Sequence, residues 1–332
     1  MEFAITFKGD MEPQRTVALC RQAEAAGFKH AWFFDSHVLW QECYATMSYC
    51  IAHTEKLRFG TCVTNPGVRD WTVTASLFAA MSRLSGGRVT MGIGRGDSSR
   101  RVLHRKPMTL QHLAECVETV RTLTQGKVVK LDGVEVKFPW AAENVPIWIA
   151  AYGPKALRVA GEHGDGLIIQ LADPWLVKWF SGQAKEAAKA TGKDPNKLSV
   201  MSAAPVWLSD DLDEGRAQIR WFPAMVGNHV ADLVEKYGKS GEVIPKHLAD
   251  SIEGRKGYDY LRHADKDAGH LGFISDEIID SFGLNGPVDA HIARLKELAE
   301  IGVSQFNIYL MCGEEEHIVE EYGRSIIPEF SS

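Results

Sequence analysis

Four short segments carry the residue types from which a reactive site could be built. Phe34-Asp35-Ser36-His37-Val38-Leu39-Trp40 places a carboxylate, a hydroxyl and an imidazole among aromatic side chains. Asp35 and His37 are the candidate catalytic groups, because a carboxylate or an imidazole can polarise a substrate or exchange a proton with it. The same Asp35 would serve equally well as a helix cap, and His37 as a surface residue. Thr61-Cys62-Val63-Thr64-Asn65-Pro66-Gly67 ends in Pro-Gly, which taken alone is a turn. Gly92-Ile93-Gly94-Arg95-Gly96-Asp97 has glycines that let a backbone approach a planar ring or a phosphate closely. Its spacing is not the G-x-G-x-x-G of dinucleotide folds. Ala150-Ala151-Tyr152-Gly153-Pro154-Lys155 sets Pro at a first helical position. The free N–H groups and dipole of such a helix start favour phosphate, and Lys155 adds charge.

These segments need a scaffold, and the hydrophobic pattern supplies one. Apolar runs at Phe3–Phe7, His30–Phe34, Leu57–Thr61, Arg88–Ile93, Pro146–Ala150, Gly166–Gln170, Val200–Leu208 and Phe306–Leu310 read as strands. Helical spacing separates most of them. Pro13–Ala26 is closed by Gly27; Val73, Leu77, Ala80, Met81 and Leu84 stop at Gly86-Gly87; Leu110, Leu113, Val117 and Val120 form a stripe. Further helices are predicted from Pro154, over Trp175–Ala190, and at Val288, Ile292, Leu295 and Ala299, the last facing the core. Asp132-Gly133 inside Val128–Phe138 signals a hairpin. Eight strands in βα alternation predict a TIM-like (β/α)8 barrel, as one domain over 1–332. The four segments then fall just after strands, on the face where such barrels bind ligands. Lys239–Phe273, rich in Gly, Lys, Asp and His, breaks the rhythm and reads as an insertion, either a lid or a solvated excursion.

Composition narrows the class of partner. The 332 residues are 45% hydrophobic and carry a net charge of −6, without the basic stripe that nucleic acid requires. No apolar run is long enough for a membrane span, and the N-terminus lacks a signal-peptide pattern. Six scattered cysteines without a Cys-x-x-Cys pair predict reduced thiols, a cytoplasmic protein and no structural metal.

Taken in order, Val-Thr-Asn-Pro, Gly-Ile-Gly-x-Gly-Asp, and Ala150 to Leu157 followed by Ala160-Gly161-Glu162 and Asp165-Gly166 resemble methylenetetrahydromethanopterin reductase-like members of the luciferase-like monooxygenase superfamily, over most of residues 1–310. The resemblance implies a flavin-type cofactor across the strand ends, either reduced FMN or the 8-hydroxy-5-deazaflavin F-420. It also implies a non-prolyl cis peptide at Cys62-Val63. The cofactor contacts it implies are Thr61, Cys62, Val63, Thr64, Asn65, Gly94, Arg95, Gly96, Ala151, Tyr152, Gly153, Pro154, Lys155 and Gln170. Two departures stand out. Many relatives carry Asp-His where this chain has Asp35-Ser36-His37, which unsettles a transferred role for His37, and Arg95 replaces a frequent Pro. The expected activity is a two-component FMN-dependent monooxygenase using O2 on a small organic substrate, served by a separate NAD(P)H-dependent flavin reductase. The alternatives are a deazaflavin-dependent reductase that transfers hydride without O2, and a non-catalytic flavin-binding barrel. A homodimer is implied by the same resemblance.

Overall fold

The computed structural model describes residues 1–226 and 274–330; the insertion expected at 239–273 lies outside the described residues. Eight parallel strands close into a barrel. In chain order they are β1 (Glu2–Phe7), β2 (His30–Phe33), β3 (Arg58–Thr61), β4 (Val89–Ile93), β7 (Ile147–Ala150), β8 (Gly166–Ile169), β9 (Ser199–Ala204) and β12 (Gln305–Tyr309). All eight correspond to apolar runs in the sequence. Nearly every residue of these strands is buried, as parallel strands covered on both faces require.

The connections follow local chemistry. Helix α1 (Pro13–Ala25) starts on Pro, and α3 (Trp71–Ser85) ends on Gly86 in the left-handed conformation. The predicted hairpin forms from β5 (Val129–Leu131) and β6 (Val134–Val136), with φ of 48° at Asp132 and 84° at Gly133, the positive pair that a tight hairpin turn demands. It stands beside the barrel as a separate two-stranded sheet.

Three expectations need correction. The run Val200–Leu208 is not one strand. Pro205, which has no N–H to donate, ends β9, and Val206–Leu208 (β10) pairs instead with Leu284–Gly286 (β11) in a second small sheet. The helix over Val288–Glu300 buries His291, Leu295 and Leu298, a face rotated from the predicted stripe, while Val288 and Ile292 are only partly covered. On α3, Val73 and Leu84 are exposed although they share the apolar spacing.

The barrel is plugged at the end where its strands begin. His30 stacks on Trp32 at 5.3 Å and 13°, and Trp148 tilts against both. Gln305 ties them together: its side-chain oxygen accepts from Trp32 Nε1 (2.9 Å) and its amide meets His30 Nδ1 (2.8 Å). The indoles fit because glycine faces them. A Cβ on Gly60 would lie 2.4 Å from the Trp32 ring, and one on Gly166 2.5 Å from Trp148. With this end filled, space for a ligand remains at the other.

Candidate functional site

A cleft of ≈ 450 Å³ opens where the strands finish. The turn after β2 contributes Phe34, Asp35 and Ser36; the turn after β3 contributes Cys62 and Val63; the turn after β4 contributes Gly94 to Ser99. The loop after β7 and the start of helix α6 (Pro154–His163) contribute Ala151, Tyr152, Gly153, Lys155 and Ala156, and Gln170 follows β8.

The floor is the Cys62–Val63 peptide, which is cis. Hydrogen bonds hold it from both sides: Cys62 N donates to Phe33 O (2.7 Å), and Thr64 N donates to Gly92 O (2.9 Å). Thr61 Oγ1 donates to the same Gly92 carbonyl (2.7 Å), and Asn65 Nδ2 donates to Ser99 Oγ (2.9 Å). Thr61, Thr64 and Asn65 therefore stand behind the cleft wall, and half-buried Pro154 also lies outside the lining. His37 is exposed and also lies outside the lining, whereas Asp35 is within it. The ten other sequence candidates, from Cys62 to Gln170, converge on the cleft.

Of the aromatic side chains near the first strand ends, only Phe34 lines the cleft. Trp32 belongs to the barrel plug, Tyr44 is buried under Arg69, and Trp71 Nε1 donates to Pro66 O (3.0 Å).

Electrostatics separate two ends of the cleft. At one end Gly153 precedes α6 with no side-chain cap, leaving the first-turn N–H groups and the positive end of the helix dipole without a side-chain partner at the cleft, with Lys155 beside them. At the other end Asp35 is buried and held by a residue that sequence reasoning missed. Arg69 donates to it twice, Nη1 to Oδ2 at 2.6 Å and Nη2 to Oδ1 at 3.1 Å. Burial opposes charge on Arg69, but the hydrogen bonds it donates to Asp35, together with the fields of Asp35, Tyr44 and Glu42, outweigh it and push the guanidinium pKa up, so the cation persists.

A second missed residue, Tyr309, links the loop after β7 to the floor of the cleft. Tyr152 donates to Gln170 Oε1 (2.8 Å), Gln170 Nε2 donates to the Tyr309 hydroxyl (2.6 Å), and Tyr309 in turn meets the Cys62 thiol. Tyr309 is fixed edge-on between Phe34 and Phe222. Burial pushes the Cys62 thiol up to about 12 against the opposing Tyr309 hydrogen bond, and it raises both phenols as well. Cys62 is thus a neutral floor atom and no thiolate nucleophile at neutral pH. Neither Arg69 nor Tyr309 carried a local signal, since their partners lie 34 and 139 residues away in the chain.

Among the described residues no helix is long and apolar enough to cross a membrane. All six cysteines are buried and unbridged.

Comparison with known proteins gives consistent neighbours. A 5,10-methylenetetrahydromethanopterin reductase from Archaeoglobus fulgidus is 29% identical over 339 residues, covering 99% of each chain. An F420-dependent glucose-6-phosphate dehydrogenase from Beutenbergia cavernae is 30% identical over 345 residues, covering 95% of this chain and 93% of that one. The solved coenzyme F420-dependent tetrahydromethanopterin reductase of Methanopyrus kandleri shares the fold, with a TM-score of 0.79 at 21% identity over 99% of both chains. The model that defines luciferase-like monooxygenases matches residues 2–305, nearly the whole barrel. By that match this oxidoreductase barrel belongs to the luciferase-like monooxygenase family.

Proposed function

We propose that the protein is a deazaflavin (F-420)-dependent oxidoreductase that moves hydride to or from a small organic substrate without O2. This ranks the hydride-transfer reading ahead of the FMN-dependent monooxygenase expected from the sequence. The observation that carries it is the nature of the relatives: among those matching nearly the full chain are methylenetetrahydromethanopterin reductases and an F420-dependent dehydrogenase.

The cleft fits such a cofactor. Gly94 leaves open the space beside Val63, where an added Cβ would stand 3.1 Å from Val63 Cγ2, so a flat ring can lie over the floor. Cys62, Val63, Gly94, Gly96 and Ala151 would border the ring. Gly153, Lys155 and the uncapped start of α6 would hold an anionic group on its tail, with Arg95 near it. When bound, the deazaflavin supplies a two-electron carrier for hydride exchange. The chain's own residues do the rest. Asp35 presents carboxylate lone pairs to the cleft, and Ser36 and Gln170 offer polar atoms for orienting a substrate. Phe34 excludes water from one wall.

A separate flavin reductase belongs to the FMN reading and is not required here. A homodimer remains part of the proposal; Val73 and Leu84 on α3 and Tyr49 on α2 (Cys43–Ala52) are exposed apolar side chains that a partner would cover if it docked there. Size-exclusion with light scattering checks it, and a monomer removes it.

The deciding experiment is paired titration of the protein with FMN and with F-420, followed by exposure of the reduced complex to air. Selective F-420 binding, with a reduced complex stable in air, is the expected result. Tight FMN binding with rapid oxygen consumption would restore the monooxygenase. Binding without turnover over a broad substrate panel would favour a non-catalytic barrel.

A further inference from the structure

We infer that Arg69 is a positioning residue for ligand binding, acting on the bound ligand through Asp35; the inference rests on the cofactor reading above. Arg69 follows the cis bulge on the turn after β3, whereas Asp35 follows β2. Its bidentate grip on Asp35 therefore ties together two neighbouring strand ends that flank the floor of the cleft. The Asp35 side chain is 1% exposed and that of Arg69 15%, so solvent screens the pair little. Two further contacts fix the guanidinium itself. It lies 4.5 Å over the Tyr44 ring, and Nη2 also reaches both oxygens of Glu42 at 2.9 and 3.0 Å, at the start of α2.

This geometry decides what Asp35 can do. A planar fork meeting a planar carboxylate sets the plane of the carboxylate as well as its place. Each carboxylate oxygen has two lone pairs, so one bond per oxygen to Arg69, with the Cys43 thiol also bonded to the carboxylate, still leaves acceptor capacity unused. Because Asp35 lines the cleft, that capacity is available to an N–H or O–H group of the ligand. Lysine, a point charge on a flexible stem, would keep the charge and lose the orientation.

The test is a double-mutant cycle read as cofactor affinity by calorimetric titration with F-420 and, in parallel, FMN. Arg69→Met and Asp35→Asn are each expected to weaken binding at least tenfold. The doubly substituted protein should bind no more weakly than Asp35→Asn alone, since Arg69 then has nothing to position. Arg69→Lys should recover part of the loss while Asp35 is intact, and none of it when combined with Asp35→Asn. Because Lys keeps the charge, that variant carries the test if Arg69→Met fails to fold. Independent, additive losses would overturn the inference, as would wild-type affinity in either single variant. Wild-type protein that binds neither cofactor would instead overturn the cofactor reading, and this inference with it.

Discussion

The two ends of the barrel use the same kinds of side chain to opposite purpose. Where the strands begin, His30, Trp32 and Gln305 satisfy one another. Just outside, Glu24 turns its carboxylate on the protein's own backbone, accepting from Leu57 N at 2.7 Å, Glu55 N at 3.0 Å and also from Lys56 N, at the entry to β3. Where the strands end, Asp35 is also buried and also paired, yet it borders the cleft with acceptor capacity beyond its bonds to Arg69. The difference is one of spare valence. A polar group fully occupied by its neighbours builds structure, whereas one partly occupied and rigidly held is ready for a ligand.

The contrast can be broken most forcefully at the plug. Trp32→Ala empties a fully buried site against Gly60 and should cost about 3–5 kcal/mol of stability. Denaturant titration measures this; a loss below about 1 kcal/mol would mean that the plug is not structural. At the open end the effect should appear in affinity. Lys155→Ala combined with Gly153→Val is expected to weaken cofactor binding by about 30-fold, roughly 2 kcal/mol, and unchanged affinity would remove the phosphate assignment.

Glu24→Gln sharpens the comparison between the carboxylates. Burial alone would raise the Glu24 pKa, but the backbone N–H groups of Lys56, Leu57 and Glu55, with Arg88, outweigh it and bring it below the ordinary value. The stability it contributes is therefore present above the unfolded pKa and lost as pH falls through the lower folded pKa. Partial exposure keeps that contribution near 1 kcal/mol. Melting from pH 7 down to 3 should show a weaker acid loss in Glu24→Gln, with cofactor affinity at pH 7 unchanged.

His30 gives the smallest signal. Burial, and then Arg58, lowers its pKa well below 6.5, so the folded protein keeps it neutral. As pH falls below 6.5 the unfolded chain takes up a proton that the folded chain refuses, and stability declines. His30→Gln should flatten that slope by less than one proton; an unaltered slope would deny His30 this role.

Much of this architecture could be read from the residues. Eight apolar runs marked the eight barrel strands, and Asp132-Gly133 marked its hairpin, because period and turn chemistry are local properties. Pro205 was visible too, but the pairing of Val206–Leu208 with Leu284–Gly286 depends on a strand almost eighty residues away. Periodicity also found the stripe on α3 without saying which of its residues would be covered. In the site, the glycines, the helix start and Asp35 were legible as strand-end residues. Arg69 and Tyr309 were not, since an arginine or a tyrosine becomes part of a site only when the fold carries it to its partner. His37 shows the converse: a residue with suitable chemistry, adjacent in sequence, which the chain turns outward.

The plug of Trp32, Trp148 and His30 has a kinetic consequence. Among the described residues that end is filled, so a ligand seated against Cys62 and Val63 would be reached, and released, through the cleft at the strand ends.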